Sequence, residues 1–357
     1  MTSRQRVLAA LAFERPDRTP FAWGFGPQPP AQRALENFCA ARGLSWPELR
    51  ARTSDTLVLD AEYIGPPPAV GQSPYTSIWG IRTRDVSYGE GSYQEFVGHP
   101  LAGLEDPAQL DRIAWPNPDW FDYASLPRRL NQLNPQRGKA TQISIASGGN
   151  PLEIYTWMTG MEETMLNLLE RPALVRAALA RICGCFQQKL QRCAKALGDQ
   201  ADLVHMADDL GGQNGLLFSR ETYRQVVQPF HRLLIENCRR VFPSAKVLYH
   251  SDGAVFDVLP DLLDAGIDIL EAVQTDATGM APERLKSAFG KRLCFHGGIS
   301  VQSLLPNSDA ATVRSECARL AAVFGDNGGY IAAPSHAIQA GTPAENVWAM
   351  LEALEVL

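Results

Sequence analysis

Residues 246–253 read KVLYHSDG, an apolar, β-leaning run that stops abruptly on polar and turn-forming residues. Side chains alternate between the two faces of a strand, so the run reads as a buried strand that carries His250 and Asp252 out together at its end. The same form recurs along the chain. TPFAWGFG (19–26), TLVLDAEY (56–63), ATQISIASGG (140–149), LVHMADDLGG (203–212), DILEAVQ (268–274), LCFHGGIS (293–300) and GGYIAAPSH (328–336) complete a set of eight strand candidates.

Between them lie helix-period segments with clear punctuation. The run from Arg171 to Leu197 ends at Gly198, Ser219 caps the one that follows, and those closing at Gly290 and Gly325 stop on glycine. Strand followed by helix, repeated, requires parallel pairing through helical crossovers. Eight such units predict a (β/α)8 TIM barrel, an α/β fold, in preference to an open doubly wound sheet. A dinucleotide site loses ground because GFGPQPP after the first strand has no helix-opening third glycine, and no phosphate loop of the GxxxxGK[ST] type occurs. An N-terminal helical extension precedes the first strand. Segment 64–139 is too long for a simple connection and reads as an insertion over one barrel mouth, with a β-hairpin around VSYGEGSYQEFVG. The whole chain, 1–357, reads as one domain.

The bulk composition restricts the function classes. With 45% hydrophobic residues the chain can build a large core, and 33 basic against 39 acidic residues leave a net charge of −6, with no basic stripe for a phosphate backbone. Nucleic acid is therefore not an expected partner. The first apolar run is broken by Glu14, Arg15 and Pro16, and no stretch approaches 18 uninterrupted apolar residues, so a cytoplasmic protein without a membrane span is expected. Seven cysteines are scattered through helical patterns, and Cys183-Gly-Cys185 has no second pair at zinc spacing. They read as buried thiols.

Barrel chemistry sits at the C-terminal ends of the strands, which singles out a few polar residues. Adjacent Asp208 and Asp209 must face opposite ways, so one enters the mouth while the other caps or pairs elsewhere. Glu271 and Gln274 interrupt an apolar strand, which is costly unless they are satisfied or used. His205 lies within a strand, and His296 precedes two glycines that permit close backbone approach. His250 and Asp252, joined by His336, supply imidazole nitrogens and a carboxylate, a donor set suited to zinc or iron. Each also has a structural reading: a helix cap for Asp252, a core histidine for His296, a strand-to-strand hydrogen bond for Glu271. The expected assignment is Asp208, Asp209 and Glu271 as catalytic groups, His205, Gln274 and His296 lining the substrate, and His250, Asp252 and His336 at a metal.

Taken together, ADDLGGQNGLLFSRETYRQVVQPFHRLL (207–234), YHSDG, DILEAVQ, LKSAFGKRLCFHGGIS (285–300), GGYIAAPSHAIQAGTPAENVWAM (328–350) and the opening RQRVLAALAFERPDRTPF (4–21) closely resemble the uroporphyrinogen decarboxylase superfamily. The resemblance implies a (β/α)8 barrel and one of two chemistries. The decarboxylases act on a tetrapyrrole without cofactor and hold it with an arginine-rich segment after the first strand, where this chain has FAWGFGPQPPAQR with Arg33 alone. The methyltransferase branch moves methyl groups to and from corrinoid proteins, with zinc on an H-x-C motif and a later cysteine. Against that motif His250 matches the histidine, Asp252 stands in place of the first cysteine, and His336 falls near the second. The expectation is a metal-assisted methyltransferase with zinc, a corrinoid (cobalamin) carrier on a partner protein, a small methylated substrate and a homodimeric state. Two alternatives remain: cofactor-free decarboxylation of another carboxylate, and a tetrapyrrole- or corrinoid-binding module without catalysis.

Overall fold

A computed structural model describes residues 1–66, 75–87 and 92–357. Its centre is a curled parallel sheet of seven strands in sequence order: β1 (Thr56–Leu59), β2 (Ala140–Ile143), β3 (Leu203–Ala207), β4 (Lys246–His250), β5 (Ile269–Ala272), β6 (Cys294–Ile299) and β7 (Tyr330–Pro334). Helices cover the outer face, as parallel crossovers require. The architecture is TIM-barrel-like.

The sheet has seven strands where eight were expected. Segment 19–26 contributes only a single-residue bridge, Phe21 to Ala332, although the Asp55 N–H also donates to the Phe21 carbonyl at 2.8 Å. The sequence explains the interruption. Gly24 and Gly26 take positive φ of 56° and 72°, and Gly26 N–H turns back onto the Trp23 carbonyl, so the chain leaves the extended region after three residues. The expected hairpin forms from Arg82–Ser87 and Ser92–Gly98; its turn lies outside the described residues.

The N-terminal helix α1 (Ser3–Leu11) opens with a capping box on Thr2 and Gln5. Its Val7 and Leu11 bury against Leu203, Leu248, Ile269 and Cys294, the inward residues at the start of four neighbouring strands. Ion pairs fix this end: Arg6 joins Asp17 and buried Asp55, and Arg4 joins Asp202. Two residues further along each strand, the period of two returns the next side chain to the same face. Those next residues are His205, His250, Glu271 and His296. An apolar floor is therefore followed directly by a polar layer.

Three helices outside the sheet bear on that layer: α2 (Pro151–Thr159), α3 (Pro172–Leu197) and α4 (Gln228–Val241). All seven cysteines are buried and unbridged, and no described helix is long and apolar enough to cross a membrane.

Candidate active site

Strand register places Glu271 between two histidines, with His250 opposite it on β4 and His296 opposite it on β6. His205 reaches it from β3. All four are nearly inaccessible to solvent. Glu271 Oε2 lies 2.5 Å from His205 Nε2 and 3.5 Å from His250 Nδ1, while Oε1 lies 3.2 Å from His296 Nδ1. Yet His205 Nε2, His250 Nδ1, His296 Nδ1 and Glu271 Oε2 make no hydrogen bond of acceptable geometry. Orphaned buried polar atoms are rare in folded proteins and call for an explanation. These four converge on one point, where either a protonated histidine or a bound cation would give them a partner.

The backbone beside Glu271 is strained. Ala272 and Val273 have φ of +78° and +44°, a region that costs a non-glycine residue about 1–3 kcal/mol and is least tolerated by a β-branched one. Opposite this turn, a Cβ on Gly297, itself at φ +113°, would come within 2.2 Å of the Ala272 carbonyl oxygen. The glycine after His296 thus admits the neighbouring strand, not a ligand as its sequence setting suggests.

Above the layer, the strand ends add a rim. His250 Nε2 faces Asp209 and Asp252, each at 3.9 Å, and His336 Nε2 lies 3.8 Å from the other Asp252 oxygen. His336 stacks on Phe25, with ring centres 4.9 Å apart. Ligand atoms of His250, Asp252 and His336 lie within 4.8 Å of one another, as do those of His205, His250 and Glu271. Two three-residue sets therefore share His250, one through each ring nitrogen. Both are the nitrogen-plus-carboxylate composition that zinc accepts.

The electrostatics agree. Burial alone would lower the His250 pKa, but the neighbouring Glu271 carboxylate, with Asp252 and Asp209, raises it to about 9. Glu271 would be pushed up by burial, yet its histidines, His205 foremost, hold it well below the carboxylate range. His296 is lowered by burial, against the pull of Glu271. Burial raises Asp252, against His250 and His336. The ring of acids thus favours a positive charge at His250, whether proton or metal.

Not every expected site residue is in this cluster. Asp208 is completely buried and faces away: its oxygens accept the Leu152 and Glu153 N–H groups at 2.9 and 2.7 Å and pair with His231 at 2.7 Å. It caps α2, which has no side-chain cap of its own. Asp208, expected as a catalytic group, thus lies apart from the cluster, and Asp209 is the one of the pair that turns to the mouth. Gln274, expected to line the substrate, accepts the Gly253 N–H at 3.0 Å and donates to Gln213, so it pins the turn after Asp252.

One residue escaped the sequence reading. Glu153, in the first turn of α2, accepts from Asn150 Nδ2 at 2.7 Å. Burial raises its pKa to about 7, Asp208 and Asp209 adding to the effect and His250 opposing it. It comes from a helix, so no strand-end pattern pointed to it; an acid three residues after Asn150 was the only signal.

A cavity of about 680 Å3 leads to the cluster. It is lined by Ala22–Phe25 and residues of β1, together with His205, Glu271, His296, Arg50 and Lys139.

The model of the uroporphyrinogen decarboxylase family matches residues 86–356. A protein named uroporphyrinogen decarboxylase from Pseudomonas fluorescens is 25% identical over 319 residues, covering 85% of this chain and 79% of that one. Among solved structures, a methyltransferase from Methanosarcina mazei superposes with a TM-score of 0.64 at 17% identity, covering 99% of this chain and 98% of its own. At that identity the likeness concerns the fold.

Proposed function

The chain belongs to the uroporphyrinogen decarboxylase family, and from that premise we propose that it is a metal-assisted methyltransferase, moving a methyl group between a small methylated substrate and a corrinoid carried on a partner protein. The observation that carries the reading is His250, whose two ring nitrogens face two acidic sets while the buried atoms around Glu271 lack hydrogen bonds. His250, Asp252 and His336 would hold the metal at the rim. A bound zinc ion would supply Lewis acidity, lowering the pKa of a thiol or polarising an ether oxygen.

The chain's own groups divide the remaining work. Glu271 sets the charge state of His250 and, with His205 and His296, fixes its orientation. Asp209 stands beside Asp252 at the mouth and orients substrate. Glu153, with a pKa near the operating pH, is suited to holding or releasing a proton. The cavity from β1 admits the substrate. We read segment 19–26 as the eighth strand of a closed barrel, supported by its bonds to both sheet edges, and segment 64–139 as an insertion near the mouth.

Metal analysis of purified protein, before and after incubation with zinc, is the first test. Stoichiometric zinc lost in His250→Ala is expected, together with demethylation of methylcobalamin by a small thiol, followed by absorbance. Protein that neither contains nor gains metal would sink this mechanism. A second reading, decarboxylation of a smaller carboxylate without cofactor, is favoured by Arg50 and Lys139 on the same cavity as Glu271, which could receive carboxylate groups. In that case chelator-treated protein would release carbon dioxide at the untreated rate.

A further inference from the structure

A second cavity, of about 330 Å3, is lined by α2, α3, Ile78, Trp79, Pro116, Pro118 and Phe121; it includes none of His205, His250, Glu271 and His296, and shares Ile145 with the larger cavity. Its walls are mainly apolar and aromatic, with Trp79, Phe121, Trp157 and Phe186 the largest contributors. One lining residue does not belong there. Lys189 projects from α3 into this apolar wall and is only 7% exposed. Its Nζ donates to the Ala146 carbonyl at 2.7 Å and lies 3.7 Å from the centre of the Phe121 ring.

An ammonium group has three donors, and among the described residues only one has a protein acceptor. Among the described residues no carboxylate forms an ion pair with it; Asp60, the acid that acts on it at longer range, is engaged by Ser147 Oγ and the Ala61 N–H. A buried cation without a counter-ion is costly, and burial accordingly lowers the Lys189 pKa. A cavity of this size is at the lower end of small-molecule sites, which combine apolar walls with a few placed polar groups.

We propose that this cavity binds a small aromatic carboxylate, its single ring held among Trp79, Phe121, Trp157 and Phe186 and its carboxylate accepting from Lys189 Nζ. The site is independent of any metal. It adjoins the cluster through Asn150, which lines the cavity and donates to Glu153, so occupancy bears on a group beside the mouth.

Benzoate is a suitable probe, titrated into the full-length protein in chelator and followed by tryptophan fluorescence, since Trp79 and Trp157 line the cavity. Saturable binding is expected, with benzyl alcohol, the neutral analogue, at least about tenfold weaker, as a lost charge-assisted hydrogen bond implies. Lys189→Met should weaken benzoate by a similar factor and leave benzyl alcohol unchanged. Ile154→Trp, which keeps the lysine and fills the space, should abolish both. No benzoate binding by about 10 mM, equal affinity for the two probes, or unchanged binding in Ile154→Trp would each overturn the proposal. If Lys189→Met does not fold, the probe comparison and the filled cavity decide. The chelator keeps failure here separate from failure of the metal reading.

Discussion

Replacing Glu271 by glutamine keeps the shape of the polar layer and removes its central charge. In the native protein His250 titrates at about 9 against an ordinary value of 6.5. At about 1.4 kcal/mol per pH unit, protonation of this one histidine stabilises the metal-free fold by about 3 kcal/mol. The sign follows from the folded state holding the proton more tightly. This stability is complete below pH 6.5 and is lost as pH rises through 9. In Glu271→Gln the two largest influences raising His250 vanish, leaving burial opposed only by Asp252 and Asp209, so its pKa should fall to 6.5 or lower. Histidine NMR titrations in chelator would report that fall directly. Urea unfolding at pH 6 and pH 9.5 gives the energetic counterpart: native protein should lose about 3 kcal/mol more across this interval than the variant does. A His250 pKa still near 9 in the variant, or equal losses for the two proteins, would refute the assignment of Glu271 as the source of the charge.

Metal binding displaces the His250 proton, so zinc affinity should rise about tenfold per pH unit from pH 6.5 to 9 and level off above; competition with a chromophoric chelator measures it, and a flat profile would exclude His250 as a ligand. Single alanine variants separate the two donor sets: His336→Ala should release rim-bound zinc while His205→Ala retains it, with the reverse result moving the ion to the Glu271 layer. Asp208→Ala should cost about 3–5 kcal/mol in urea unfolding, because it leaves His231 and the start of α2 without their buried partner, while zinc stoichiometry at saturating metal stays unchanged. Gly297→Ala should lose about 3 kcal/mol or fail to accumulate, since a Cβ would meet the Ala272 carbonyl in a conformation alanine resists; a melting temperature equal to that of the native protein would show that strands β5 and β6 can separate there.

The polar layer was legible because strand periodicity is local. His205, His250, Glu271 and His296 each stand two residues after an apolar residue of the floor, so a period of two fixes their common face once the strands are recognised. Sequence could not supply the register, and it is register that sets Glu271 between two histidines and makes it the electrostatic centre in place of one acid among several. The aspartate pair shows the same limit. Alternation required Asp208 and Asp209 to part, but which one turned inward depended on α2, a helix some 55 residues earlier whose uncapped N–H groups claimed Asp208. The first strand is cut short for a different reason: TPFAWGFG has the apolar content of a strand, while its two glycines permit the positive φ that ends extended pairing after Ala22. Segment 19–26 and β1 both line the cavity that includes Glu271, and past its glycine the segment carries Phe25 onto His336 and His250. The residues that cut the sheet pairing short thus line the cavity and shape the rim around the histidines.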